Sequence, residues 1–244
     1  MALIELMNVT KRYSGNGPTA VALQDVTLRI EQGEMVAIMG HSGSGKSTLL
    51  TILGAMNPPT EGRVVVDTID LYALSSERRA DFRHEYLGFV FQQQHLIPYL
   101  NALENAMLPL AISRRPQGEQ SAMARTALER VGLGDKLHRL PGQLSGGEQE
   151  RVAIARAIVN EPPILLADEP TGCLDTQTGL QVMELLQSLN REGLTVLLVT
   201  HNPDNARYTH RTILLKDGRV DSSNSNPRPM VEPLRSDFPC LSPV

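Results

Sequence analysis

The sequence predicts an α/β fold: a sheet parallel at its centre, interrupted by a helical insertion. Three observations carry this. Short apolar runs at 35–39, 87–91, 164–167 and 195–199 read as buried strands. Segments of helical period alternate with several of them, the arrangement of a sheet with crossover helices. From about 96 to 160 strand signals vanish and helical ones dominate.

The elements follow in chain order. Residues 21–30 alternate apolar and polar side chains, the apolar ones being Val21, Leu23, Val26, Leu28 and Ile30, so a strand is expected, with 3–9 as its partner. Gly33 breaks the chain before the run at 35–39. Asn57-Pro58-Pro59-Thr60-Glu61-Gly62 is a turn cluster, followed by a strand at 64–66, a helix at 75–84 and the strand at 87–91. The insertion carries helices at 102–110 and 119–131, separated by Arg114-Arg115-Pro116-Gln117-Gly118, and Ser145 opens a third. After the strand at 164–167, the helix at 176–191 presents Leu180, Val182, Met183, Leu185, Leu186 and Leu189. Strands at 195–199 and 212–215 close the pattern. Beyond Val220 the chain is rich in Ser, Asn and Pro, with prolines at 227, 229, 233, 239 and 243, and an irregular tail is expected. The expected division is a domain over 1–220, its core at 1–95 and 161–220 around an insertion at about 96–160, then a tail over 221–244.

At 244 residues and 41% hydrophobic, the chain suits one large domain or one core with an inserted subdomain. A net charge of −4 argues against a nucleic-acid surface as the main partner. Arg78, Arg79 and Arg83 stand beside Glu77, Asp81 and Glu85 and read as a solvated helix face. Two cysteines, Cys173 and Cys240, make no disulfide framework, which suits a reducing compartment. The start, Met1-Ala2-Leu3-Ile4-Glu5-Leu6, has no basic segment of a signal peptide. No apolar run approaches about 18 residues, so a membrane role is expected to come through a partner.

The chemistry begins at Gly40-His41-Ser42-Gly43-Ser44-Gly45-Lys46-Ser47-Thr48, a complete G-x-x-x-x-G-K-[ST] phosphate loop between a strand and a helix. Gly40, Gly43 and Gly45 let the backbone turn sharply, so that successive N–H groups surround a phosphate, and the new helix adds its positive dipole end. Lys46 is expected to reach the β- and γ-phosphates of a nucleoside triphosphate, and the Ser47 hydroxyl to ligate Mg²⁺. A second pattern, Ile164-Leu165-Leu166-Ala167-Asp168-Glu169, is a buried strand ending in two acids. Strand alternation would point the two side chains apart. Asp168 is then placed to hold Mg²⁺ through water, and Glu169 to deprotonate the attacking water.

Leu144-Ser145-Gly146-Gly147-Glu148-Gln149 is locally a capping box opening a helix, and such a start is also an anion site. The hexapeptide resembles the signature motif of ATP-binding cassette (ABC) ATPases, and the resemblance extends over residues 3–220. It implies a P-loop NTPase (RecA-like) core with an antiparallel β subdomain and an inserted α-helical subdomain. It implies that Ser145, Gly146 and Gly147 of one chain contact the γ-phosphate of ATP bound to a second, head-to-tail chain. By the same resemblance Tyr13 stacks on adenine, Gln92 senses Mg²⁺ and water, Leu174-Asp175 form the loop that crosses the dimer interface, and His201 contacts the γ-phosphate. The cofactors implied are ATP and Mg²⁺.

Residues 91–105 and the segment Ala167-Asp168-Glu169-Pro170-Thr171-Gly172-x-Leu174-Asp175 are similar to the lipoprotein-release and macrolide-export group, which carries Asn where this chain has Cys173. That implies a permease subunit with a large extracytoplasmic domain, and a peripheral location on the cytoplasmic face of the inner membrane. The expected contact with it is an apolar groove around Leu96, Ile97, Leu100 and Leu103. Two alternatives stay open on the sequence: an importer of amino acids or similar solutes, and a regulatory ABC ATPase that signals across the membrane.

Overall fold

The computed structural model describes residues 2–14 and 19–226. The chain opens with strands β1 (Ala2–Tyr13), β2 (Ala20–Glu31) and β3 (Met35–Met39), then helix α1 (Lys46–Leu53). Strands β4 (Glu61–Val66) and β5 (Ile69–Asp70), helix α2 (Ser76–Tyr86) and strand β6 (Leu87–Val90) follow. Helices α3 (Ala102–Met107), α4 (Gln117–Arg130) and α5 (Gly146–Ile158) form the insertion. The chain returns through β7 (Ile164–Asp168), α6 (Thr176–Arg191), β8 (Thr195–Val199), α7 (Pro203–Ala206), β9 (Arg211–Lys216) and β10 (Arg219–Ser225).

Two sheets result. One is antiparallel, in the order β2-β1-β4-β5; the other has the order β10-β9-β3-β8-β7-β6 and is parallel from β9 to β6. The period-2 rule sorts the central strands between two cores. Ile164, Leu166, Leu197 and Val199 face a core shared with α1 and the antiparallel sheet. Leu165, Ala167, Val196 and Leu198 face a core shared with α3, α4, α5 and α6. A sheet covered on both faces needs apolar side chains at every position, which is why β7 and β8 read as unbroken runs.

Helix starts are set by side-chain caps. Asn101 with Glu104, and Ser145 with Glu148, form capping boxes before α3 and α5, and Asp175 caps α6. Three expectations are corrected. The helix expected at 102–110 stops at Met107 and continues as a 3₁₀ turn, Leu108–Ile112, because Pro109 has no N–H for the helical ladder. Irregular chain was expected from residue 221, but β10 pairs antiparallel with β9 as far as Ser225. The Asn226 side chain then donates to the carbonyls of Ala206 and Thr209, so the folded domain runs past the expected boundary at 220. An edge strand needs only backbone pairing, so its Ser and Asn composition concealed it. The prolines from 227 onward and Cys240 lie outside the described residues. Of the three arginines expected on a solvated face, Arg78 is exposed, whereas Arg83 donates to the Ala55 carbonyl and Arg79 lies over the Tyr72 ring. Among the described residues no helix is long and apolar enough to cross a membrane.

His210 locks β9 to β3. Its Nδ1 accepts from the Met35 N–H at 2.8 Å, and burial pushes its pKa down, with Glu34 opposing. Below the ordinary histidine value of about 6.5 the unfolded chain therefore takes up a proton that the folded chain resists, and stability falls as pH drops. The contribution of His210 to stability, read as the difference in melting temperature between wild type and a His210 variant, is expected to be level above about pH 7 and to decline below about 6.5. His210→Asn, whose Oδ1 can accept the same N–H, should flatten that decline when melting is followed against pH.

Candidate active site

The carboxyl ends of β3, β8, β7 and β6 are neighbours, since Ile38 pairs with Val199, Val199 with Asp168, and Ala167 with Val90. Each strand delivers one functional segment to that edge, where ligands of open α/β sheets bind. β3 leads into the phosphate loop, β7 ends in Asp168, β8 leads to Thr200 and His201, and β6 leads to Phe91 and Gln92.

The phosphate loop is cut to the shape of its backbone. Gly45 has φ +104°, and a Cβ there would stand 2.5 Å from the Ala22 carbonyl oxygen. At Gly40 a Cβ would meet the Leu215 carbonyl oxygen at 2.3 Å. The loop must therefore be glycine at both points. Ser44 Oγ is buried inside it without a partner. His41 and Ser42 are exposed at the tip with Gly43, and Ser47 and Thr48 lie in the first turn of α1. Lys46 Nζ donates to the carbonyls of Gly40 and His41, at 2.8 and 3.0 Å, so the ammonium is folded over its own loop. These are features of a cradle for a phosphate chain.

Glu169 is the centre of a hydrogen-bonded group. His201 Nδ1 donates to Glu169 Oε1 at 2.6 Å, and Thr200 Oγ1 to Oε2 at 3.1 Å. The Glu169 backbone has φ +48°, a conformation costing about 1–3 kcal/mol for a residue with a side chain. This turn, rather than simple strand alternation, separates the two acids. Asp168 stays on the strand, and its pKa is raised first by burial and then by the Glu169 charge, with Lys46 pulling the other way. Electrostatics thus couples Asp168 to both Glu169 and Lys46. Gln92 reaches the same turn: a Cβ at Gly172 would lie 3.1 Å from Gln92 Nε2 and 3.2 Å from the Glu169 carbonyl oxygen. Thr200 was missed by sequence reasoning, because it reads as the end of an apolar strand.

The remaining predicted residues lie apart from this group. The Tyr13 ring is exposed beside β2, with the Lys11 ammonium 5.1 Å from its centroid and Asn57 Nδ2 donating to its hydroxyl at 2.6 Å. Ser145, Gly146 and Gly147 begin α5. They pack on the loop before α6, where Gly146 approaches Leu174 and a Cβ at Gly147 would strike Thr178 Cγ2 at 2.2 Å. Asp175 gives both carboxylate oxygens to Thr178. Lys136 pairs with Glu148, and this bond first, with the Ser145 N–H second, holds the Glu148 pKa at about 2. No hydrogen bond or ion pair joins the Ser145 turn to the phosphate loop among the described residues.

Residues 23–172, more than half of the chain, match the ABC transporter family. The chain belongs to that family. The cassette is 47% identical over 218 residues to the uncharacterized ABC transporter ATP-binding protein MJ1508 of Methanocaldococcus jannaschii, covering 89% of this chain and 97% of the relative. It is 45% identical over 224 residues to the macrolide export ATP-binding/permease protein MacB of Burkholderia lata, covering 92% of this chain but only 33% of that longer protein. Among solved structures, dimeric MJ0796, a bacterial ABC transporter cassette, superposes with a TM-score of 0.83 at 48% identity, covering 91% of this chain and 98% of that one. A post-hydrolysis dimer of MJ0796 bound to ADP and Pi gives a TM-score of 0.82 at 46% identity, with the same coverage. The cassette is an ABC ATPase with the P-loop fold expected from its sequence.

Two substitutions test the roles at this edge. Glu169→Gln keeps the carbon skeleton of the turn but removes the carboxylate expected to take the proton of water, so hydrolysis should fall about 10²-fold or more while ATP binding persists. Lys46→Ala should instead weaken nucleotide binding itself. Equilibrium binding and steady-state hydrolysis, measured on both variants, separate the two effects.

Proposed function

We propose that two copies of the cassette close over two ATP molecules and drive a separate membrane subunit, in the export or lipoprotein-extraction group of ABC transporters. The observation that carries this is the division of the site. Lys46, Asp168, Glu169, His201 and Gln92 lie at one sheet edge, while Ser145, Gly146 and Gly147 open a helix on another part of the chain. A head-to-tail pair supplies each edge with the opposing helix start.

The metal fits the residues present. Among the described residues no group of three or more His, Cys, Asp or Glu could hold a metal ion. Ser47, Asp168 and Gln92 offer a few hard oxygen donors beside a phosphate cradle, the usual setting for Mg²⁺, which keeps waters and leans on phosphates. Bound there, Mg²⁺ would neutralise phosphate charge. Lys46 would leave the Gly40 and His41 carbonyls for the β- and γ-phosphates. Glu169, oriented by His201 and Thr200, would accept the proton of the attacking water. Tyr13 would present its ring to adenine, and Asp175 would hold the loop at the dimer seam.

The fused ATP-binding/permease arrangement of MacB supports a membrane partner and favours export. Part of the expected contact surface is taken up inside the fold, while Ile97 and Leu100 stay half-buried. Leu103 is buried in the helical core and Leu96 packs against it, so these side chains serve the insertion itself. An apolar groove is lined by Met56, Phe89, Phe91, Leu108, Pro109 and Ile112. Ile112 is 75% exposed and Phe91 39%. A short helix of the permease would seat there and hold the cassette peripherally on the cytoplasmic face. Burying a side chain such as Ile112 is worth about 1.5–3 kcal/mol, or roughly 10–100-fold in affinity. Ile112→Glu should lose permease binding by at least that factor and retain basal ATPase activity. Normal permease binding by this variant, read by co-purification from membranes, would remove the groove from the contact.

A further inference from the structure

Glu150 lies within α5 and is fully buried. A carboxyl inside a protein is costly unless its oxygens are bonded or its charge is paired. Glu150 meets that condition by half. Oε2 accepts from Gln94 Nε2 at 2.9 Å, and Oε1 has no partner. No ion pair reaches Glu150 from α3, α4, α6, β6 or the 3₁₀ turn Leu108–Ile112, the elements packed on α5, among the described residues. Among the described residues, the charged group acting on it is Arg156 of the same helix. That guanidinium is engaged elsewhere: it donates to the His95 carbonyl at 2.9 Å and to the Gln94 carbonyl at 2.6 Å. The His95 ring stands edge-on to Phe91, and His84 lines the same groove wall as Arg156. Burial outweighs Gln94 and Arg156 and pushes the Glu150 carboxyl up to about 7.

An orphaned buried acid calls for an explanation beyond stability, since a glutamine would fit with less penalty. What Glu150 and Arg156 hold is specific. Both grip Gln94 or His95, just behind Gln92, in a stretch that is neither helix nor strand. Three side-chain hydrogen bonds from α5 fasten that stretch. The same helix begins at Ser145. We propose that Glu150 is a positioning residue for the ATPase reaction: with Arg156 it fastens the segment behind Gln92 to the helix that begins at Ser145, so both nucleotide-facing elements keep one relative placement. This rests on the roles given above to Gln92 and Ser145. The neutral carboxyl leaves Arg156 on the two carbonyls. Ionised, it draws the guanidinium off them and loosens the segment.

The test uses the full chain. Values of kcat and KM for Mg·ATP are measured from about pH 6 to about 8.5 for wild type, E150Q, E150A, Q94A and Q92A. Hydrogen exchange at residues 93–97 is followed without nucleotide. E150A and Q94A are expected to lower kcat severalfold, to change KM by less than about twofold, and to speed exchange at 93–97. E150Q, always neutral, should match wild type at the acid end and exceed it at the alkaline end. The ratio of the two kcat values should rise through about pH 7 and then level off. Superimposable pH profiles for E150Q and wild type would overturn the proposal, as would wild-type kcat and exchange in E150A. If E150A does not fold, the E150Q profile and Q94A decide. If Q92A keeps wild-type kcat while E150A and Q94A still speed exchange, the role given to Gln92 is what fails, and the fastening of 94–95 to α5 stands.

Discussion

The register of four parallel strands is the constraint on which the gathering of Lys46, Glu169, His201 and Gln92 at one sheet edge depends. Each functional segment is only a few residues long, and none has a fold of its own. Lys46 opens α1 directly after a loop, Glu169 belongs to a tight turn, His201 to a strand end and Gln92 to an irregular stretch. They meet because Ile38, Val199, Ala167 and Val90 are paired across β3, β8, β7 and β6. The bonds just past the strands continue that register. The Thr200 N–H donates to the Ile38 carbonyl, and the Glu169 N–H to the Val199 carbonyl. Both faces of the sheet are buried, so a slip in pairing would disrupt two cores at once.

On that frame the local chemistry is built by backbone conformations that ordinary residues avoid. Glycines at 40 and 45 let neighbouring carbonyls approach where a side chain would collide. Glu169 takes a left-handed conformation without being glycine, and its carboxylate is held from two sides by Thr200 and His201. The strain and the bonds belong together: the turn aims the carboxylate off the strand, and the two donors fix where it points. The insertion is organised by caps instead. Ser145 and Glu148 satisfy each other's backbone N–H groups, and Lys136 neutralises the acid beside the helix start.

Much of this was legible in the sequence because it depends on local pattern. Apolar runs marked the central strands, since a doubly covered sheet tolerates nothing else. The glycine spacing marked the phosphate loop, and Ser145 with Glu148 marked the start of α5. Other features depend on tertiary placement and left little local trace. β10 is held by backbone pairing, so its polar side chains looked like a tail. Leu103 and Ile112 are equally apolar in sequence, and only the fold buries one and exposes the other. Thr200 and Glu150 gain their meaning from partners 31 and 56 residues away.

In the proposed assembly each working site is shared between two chains. Mixing Lys46→Ala with Ser145→Arg tests it most directly. Each variant alone should be inactive as a homodimer, because every site carries a defect. In a mixed dimer one site collects both defects, and the other keeps an intact Lys46 facing an intact Ser145. Random pairing of equal amounts should then restore up to about a quarter of wild-type ATPase activity. Absence of any recovery, together with loss of ATP binding by the Ser145→Arg monomer, would place Ser145 beside Lys46 in the same chain and rule out a shared site.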